Sequence, residues 1–232
     1  MSLYPYQETG VEFLRGRTRA YLADDMGLGK TVQALMAVRD EPRALVVAPA
    51  AVVPNWEAEA RVWAPDTEVL PVSYNKVAAN PKDYTGWPAI ILDEAHYVKN
   101  PKAKRTKAVL GVASKGKRVY LLSGTPMPND PSELWAPARA LWPEIPESLG
   151  LKTYFDWFDH FCFWRRTTFG PKAYGVKNKD ELRRVLEPIM LRRKLATVAL
   201  DLPPLRVTTS WLPKDAALDR MLEEVGAKGD PE

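Results

Sequence analysis

Short apolar runs alternate with amphipathic stretches over the first half of the chain. Continuous apolar runs at 44–48, 89–92 and 119–122 predict strands buried on both faces, and 19–23 and 68–72 predict two shorter ones. Between them, apolar residues recur at helical spacing. Val11, Phe13 and Leu14 mark an opening helix over 4–14, and Val32, Leu35 and Met36 mark another over 31–38. Proline at position 54 suits the first turn of a helix over 54–63, and 101–112 reads as a further helix. This rhythm predicts the α/β class: a parallel sheet with helices on both faces and its chemistry at the carboxyl ends of the strands. After Pro131 the texture changes. Helices are predicted over 131–141, 151–163 and 179–186, with a loop or small hairpin over 170–177. Trp142, Tyr154, Phe155, Trp157, Phe158, Phe161, Phe163 and Trp164 are expected to form the core of this helical insertion, with a partner-binding surface as the alternative. A strand over 205–212 and an amphipathic helix over 215–225 follow.

Composition narrows the class. With 232 residues, 46% hydrophobic and 27% charged, the chain suits one large α/β domain or two small ones, and excludes disorder, collagen and coiled coil as descriptions of the whole. No apolar run approaches the roughly 20 residues of a membrane span, and no leader is visible at Met1. A single cysteine, Cys162, cannot build a disulfide framework. Together these predict an intracellular protein, cytoplasmic in a prokaryote or virus or else nuclear, without a membrane partner. The 21 prolines predict long ordered loops. Two histidines, His96 and His160, with no cysteine beside His96, predict no structural metal.

The net charge of +4 decides little, but its distribution does more. No acidic residue falls between Tyr97 and Asn129, where Lys99, Lys102, Lys104, Arg105 and Lys107 cluster. That block is either a phosphate-facing surface or a solvated helix face, and the sequence leaves both open.

Three motifs carry chemistry. The first is Asp24-Asp25-Met26-Gly27-Leu28-Gly29-Lys30-Thr31. Its glycines let backbone N–H groups turn toward a phosphate, and the helix that follows adds its positive end. Lys30 can reach β- and γ-phosphates and the Thr31 hydroxyl can ligate Mg²⁺. The strict phosphate-loop pattern has glycine where Asp24 stands. The second motif, Asp93-Glu94-Ala95-His96, ends an apolar strand predicted to deliver Asp93 and Glu94 at its carboxyl end next to that loop. Asp93 would hold Mg²⁺ and Glu94 would orient and deprotonate an attacking water. His96 is expected to couple or pack. The third, Ser123-Gly124-Thr125-Pro126, closes another strand, where small hydroxyl groups can sense the phosphate state.

These motifs resemble the first motor lobe of a Swi/Snf-type helicase-like ATPase of helicase superfamily two. The acidic residue at Asp24 is part of that family's loop. The segment from Leu3 to Leu14 resembles its opening motif, which implies that Gln7 reads adenine. Ala48-Pro49 with Asn55-Trp56 resembles a motif near DNA and Ser73-Tyr74 a later phosphate-contacting motif, which implies DNA contacts at Pro49, Asn55, Ser73 and Tyr74, joined by Lys99, Asn100, Lys102 and Lys104. Met190-Leu191-Arg192-Arg193-Lys194 and Leu202-Pro203 resemble the family's stretch before a second lobe, and the tract 141–193 is similar to the annealing-helicase branch related to HARP. The resemblance implies a RecA-like core over 1–142, an insertion and return over 143–204, and the start of a connector over 205–232. It implies ATP and Mg²⁺ as cofactors, double-stranded DNA as partner, and a second lobe, missing from this chain, that completes the ATP site. The alternatives are a nucleotide-dependent binding module without turnover and an RNA-directed helicase lobe.

Overall fold

The computed structural model describes residues 2–168 and 170–198, all within one compact unit. The elements run α1 (Pro5–Arg15), β1 (Arg19–Leu22), α2 (Lys30–Val38), β2 (Arg43–Ala48), α3 (Val53–Trp63), β3 (Glu68–Ser73), α4 (Tyr74–Ala79), β4 (Ala89–Asp93), α5 (Lys104–Ala113) and β5 (Arg118–Leu122). Then come α6 (Trp135–Leu141), α7 (Glu144–Ser148), α8 (Tyr154–Phe161), β6 (Cys162–Thr167), β7 (Gly170–Val176), α9 (Lys179–Leu186), β8 (Met190–Leu191) and α10 (Leu195–Val198).

Six strands form one parallel sheet in the order β3-β2-β4-β5-β1-β8. The apolar runs are buried on both sides because alternate residues feed two cores. Leu45, Val47, Ile90, Leu92, Val119 and Leu121 face α4, α5 and the helices after residue 131. Ala44, Val46, Ala48, Ile91, Tyr120 and Leu122 face α1, α2 and α3. β5 lies between β4 and β1 in the sheet, yet the carboxyl end of β4 still brings Asp93 and Glu94 beside the glycine loop, as expected.

The insertion is not wholly helical. The helix expected to reach residue 163 ends at Phe161, and β6 pairs antiparallel with β7. From Cys162 the side chains alternate, Cys162 buried and Phe163 exposed, and β pairing replaces helix. The aromatic set divides accordingly. Trp142, Trp157, Phe158 and Phe161 are core, while Phe155 and Phe163 are exposed. Trp157 donates its Nε1–H to the carbonyl of Pro131 at 2.9 Å and meets Phe161 edge-on at 4.7 Å. Cys162 is buried and its thiol is pushed up to about 12, chiefly by burial and then by the charge of Asp130. Four of the prolines, Pro5, Pro54, Pro81 and Pro131, occupy first helical turns. After α9 the chain returns to the sheet, where β8 pairs with β1. The elements expected over 205–225 lie outside the described residues. No helix among the described residues is long and apolar enough to cross a membrane.

Candidate nucleotide site

The segments that follow β1 and β2 and the carboxyl end of β4 enclose a cavity of about 390 Å³. Its floor is the loop after β1. Gly27 (φ 86°) and Gly29 (φ 70°) both take left-handed backbone, which a side chain would strain, and Gly29 leads directly into α2. Lys30, Thr31, Asp93 and Glu94 all line this cavity with Asn55 and Trp56. The Lys30 ammonium donates to the carbonyls of Asp24 (2.8 Å) and Asp25 (3.1 Å). Burial lowers its pKa, and the surrounding carboxylates, Glu94 first, draw it back up. A half-buried cation beside free N–H groups at a helix start suits an oxyanion.

Asp93 is held on both oxygens. Oδ2 accepts the indole N–H of Trp56 at 2.8 Å, and Oδ1 accepts the backbone N–H of Glu94 at 3.0 Å. Its pKa is raised by burial, lowered by the Trp56 bond and raised again by Glu94. The Trp56 bond therefore opposes the rise that burial causes. Replacing Trp56→Phe removes that hydrogen bond, so the Asp93 pKa moves further up. A hydrogen bond to a charged group is worth ~1.5–3 kcal/mol, or about one pH unit or more. The acid limb of the Asp93 titration should rise by that amount in a pH series on both proteins. An unmoved acid limb would contradict Trp56's role.

Glu94 adopts left-handed backbone (φ 48°), an uncommon state for a non-glycine residue. The turn aims its carboxylate at two partners. Oε2 accepts the Ser123 hydroxyl at 3.3 Å and lies 3.2 Å from His96 Nδ1. Ser123 Oγ in turn accepts the N–H of Thr125 at 3.1 Å and lies 3.3 Å from His96. Gly124 sits so close to the loop that a Cβ would press on Met26. The second and third sequence motifs thus share one hydrogen-bonded cluster, although their strands differ.

The loop is clasped from far along the chain. Asp24, fully buried, forms a two-oxygen ion pair with Arg193, with Nε to Oδ1 at 3.0 Å and Nη2 to Oδ2 at 2.5 Å. The Arg193 N–H also donates to Oδ1, and its guanidinium reaches Gln33 Oε1 (2.8 Å) and the carbonyl of Tyr6. Asp25 adds a second tie, donating its N–H to the Arg193 carbonyl and accepting the N–H of Leu195. Gly10 of α1 makes room for this cluster, because a Cβ there would collide with Gln33 and Arg193. Nothing in the sequence pairs Asp24 with Arg193; the one signal is the acid standing where glycine is usual.

The remaining expected site residues fall in different places. Gln7 packs against the loop, donating to the carbonyl of Leu28 at 3.4 Å and accepting the N–H of Tyr4 at 3.0 Å. Pro49 and Ser73 lie at strand ends, and Ser73 caps α4 by accepting from the N–H of Lys76. Asn55 belongs to the wall of the nucleotide cavity. Tyr74 is not a surface group: it is buried, stacked on Tyr97 at 5.2 Å, and its hydroxyl donates to the Asp93 carbonyl at 2.7 Å. Lys99 is not a free cation, since Glu133 pairs with it at 2.6 Å. Asn100, Lys102 and Lys104 are exposed, with the Asn100 side chain accepting the N–H of Lys102.

This fold, with a glycine loop at the cavity, defines a RecA-like domain. The chain belongs to the SNF2-related domain family, whose profile matches residues 6–81 and 68–220. It is 34% identical over 92% of its length to the SWI/SNF-related matrix-associated actin-dependent regulator of chromatin subfamily A-like protein 1 of Bos taurus. It is 31% identical over 87% of its length to the DNA annealing helicase and endonuclease ZRANB3 of the same species. Among solved structures it resembles a Sulfolobus solfataricus SWI2/SNF2 ATPase core in complex with dsDNA, with TM-score 0.71 and 29% identity over 88% of this chain. The chain spans 25% and 22% of those two relatives and 47% of the solved one.

Proposed function

We propose that this chain is the ATP-binding first lobe of a motor that translocates along double-stranded DNA and needs a second lobe for full hydrolysis. The observation that carries this is the convergence of the glycine loop, Lys30, Thr31, Asp93 and Glu94 on one cavity. The phosphates of ATP would lie across the N–H groups of Gly27 to Gly29 and the start of α2, where Lys30 would exchange two loop carbonyls for phosphate oxygens. Asp25, Met26 and Leu28 shape that loop, and Gln7 behind it would contact the adenine. Thr31 and Asp93 offer hard oxygen donors that fit Mg²⁺. When bound, the ion would neutralise charge developing on the phosphates. Glu94 would orient the attacking water and take its proton, while its bond to Ser123 links that step to the turn of Ser123, Gly124 and Thr125.

The duplex would cross the strand ends at Pro49 and Ser73 and meet Asn100, Lys102 and Lys104. Relatives named as annealing helicases, and a related ATPase core complexed with dsDNA, support this choice of partner. In the proposed organisation, 1–142 is the core, 143–204 the insertion and return through β8, and 205–232 the start of a connector. A second lobe would supply arginine to the γ-phosphate, a contribution worth roughly 10³–10⁵ in rate in related systems.

The test is ATP hydrolysis by the chain, with and without duplex DNA, beside Glu94→Gln. Duplex DNA should raise a slow rate, and the variant should lower it by about 10²–10⁴ while still binding nucleotide. A rate indifferent to both would contradict the proposal. Greater stimulation by duplex RNA would favour an RNA-directed helicase, and nucleotide binding without turnover would favour a binding module.

A further inference from the structure

Away from the nucleotide cavity, the hairpin β6–β7 carries a second, independently built surface. Its inner face is accounted for. Cys162 is buried, and Trp164 packs on Phe155 and Phe158 and donates its indole N–H to Asp159 at 2.6 Å. The outer face is not. Phe163 is 47% exposed and Tyr174 69% exposed, yet their rings stack 6.2 Å apart with planes 22° from parallel. A register shift between Phe163 and Trp164 accompanies this pairing. The ammonium of Lys177 lies 5.8 Å from the Phe163 ring centre.

The charges on this hairpin all have one sign. Arg165 stands directly opposite Lys172 across the two strands. Like charges placed so destabilise an antiparallel pair. The sequence has no acidic residue from His160 to Lys179, and among the described residues no carboxylate pairs with Arg165 or Lys172. The hairpin therefore holds two unfavourable features together, an exposed aromatic pair and facing cations. A single ligand class relieves both: a polyanion that also presents flat apolar faces. Duplex DNA hides its base faces and could answer only the cations. An acidic peptide offers carboxylates but no regular row of planar faces in step with them. Single-stranded DNA offers phosphates in a row and unstacked bases.

We infer that the outer face of this hairpin binds single-stranded DNA, with bases stacked on Phe163 and Tyr174 and the backbone along Arg165 and Lys172. This is a binding site separate from the proposed duplex path and does not depend on ATP.

The experiment is fluorescence anisotropy of the full chain, without nucleotide, against a labelled oligothymidine and against a duplex. Phe163→Ala with Tyr174→Ala should weaken single-strand binding roughly tenfold or more and leave duplex affinity in place. Equal losses on both ligands, or no loss, would overturn the inference. Arg165→Ser with Lys172→Ser removes the facing charges and so should not lower the unfolding midpoint. It should flatten the slope of log K against log salt by about 1.4 for the single strand, two phosphate contacts at ~0.7 each. An unchanged slope would overturn the inference even if the aromatic variant failed to fold. Lys30→Ala should bind the single strand as the unaltered chain does, so loss of the nucleotide site and loss of this one are told apart.

Discussion

Arg193→Ala should destabilise the domain by about 3–5 kcal/mol, the cost of leaving a buried charge without its partner. The reasoning is local. Asp24 has no exposed surface, and its carboxylate accepts from Arg193 on both oxygens. The backbone N–H of Arg193 (3.1 Å) and Gln33 Nε2 (3.4 Å) give it two further, longer bonds. Removing the guanidinium strands an anion in a site water does not reach, and frees the Tyr6 carbonyl and Gln33 amide as well. A domain stable by 5–15 kcal/mol would lose a large share of its margin. Urea denaturation measures it. Replacing both partners, Asp24→Asn with Arg193→Met, should recover part of the loss, because a neutral pair no longer demands compensation. A midpoint unchanged in Arg193→Ala would show that the clasp contributes nothing.

The second large effect is expected at Lys30. In this structure its ammonium rests on two loop carbonyls, so it is already desolvated and aimed along the loop. Moving onto phosphate oxygens would exchange neutral acceptors for anionic ones. A hydrogen bond to a charged group contributes about 1.5–3 kcal/mol, and 1.4 kcal/mol is tenfold in affinity. Lys30→Ala should therefore weaken Mg·ATP binding by roughly 10–100-fold, and more if both β- and γ-phosphates are engaged. The fold should persist, since Lys30 is only partly buried and its loss strands two carbonyls next to an open cavity.

The sheet was legible because its strands are short apolar runs, and the glycine loop because Gly27 and Gly29 stand directly before Lys-Thr. What hid was every feature set by distant pairing. The order of β4, β5 and β1 follows from how helices pack across the sheet, which no local pattern encodes. Asp24 and Arg193 are 169 positions apart. Trp56 and Tyr74 lie in segments that resemble DNA-facing motifs, yet both rings turn inward and buttress Asp93, one through its side chain and one through its carbonyl. The hairpin was obscured by aromatic density: a run such as Trp157, Phe158, Phe161, Phe163 and Trp164 satisfies a buried helix as well as a strand. Lys99 looked like part of a free basic block because Glu133 is remote in sequence and adjacent in space.

The central claim is that the cavity at the strand ends binds Mg·ATP through this loop. Isothermal titration of ATP into the chain, with and without Mg²⁺ and beside Lys30→Ala, tests it most directly. The account predicts saturable binding at one site that Mg²⁺ strengthens and Lys30→Ala weakens at least tenfold. Binding that is absent, or that Lys30→Ala leaves unchanged, would contradict it.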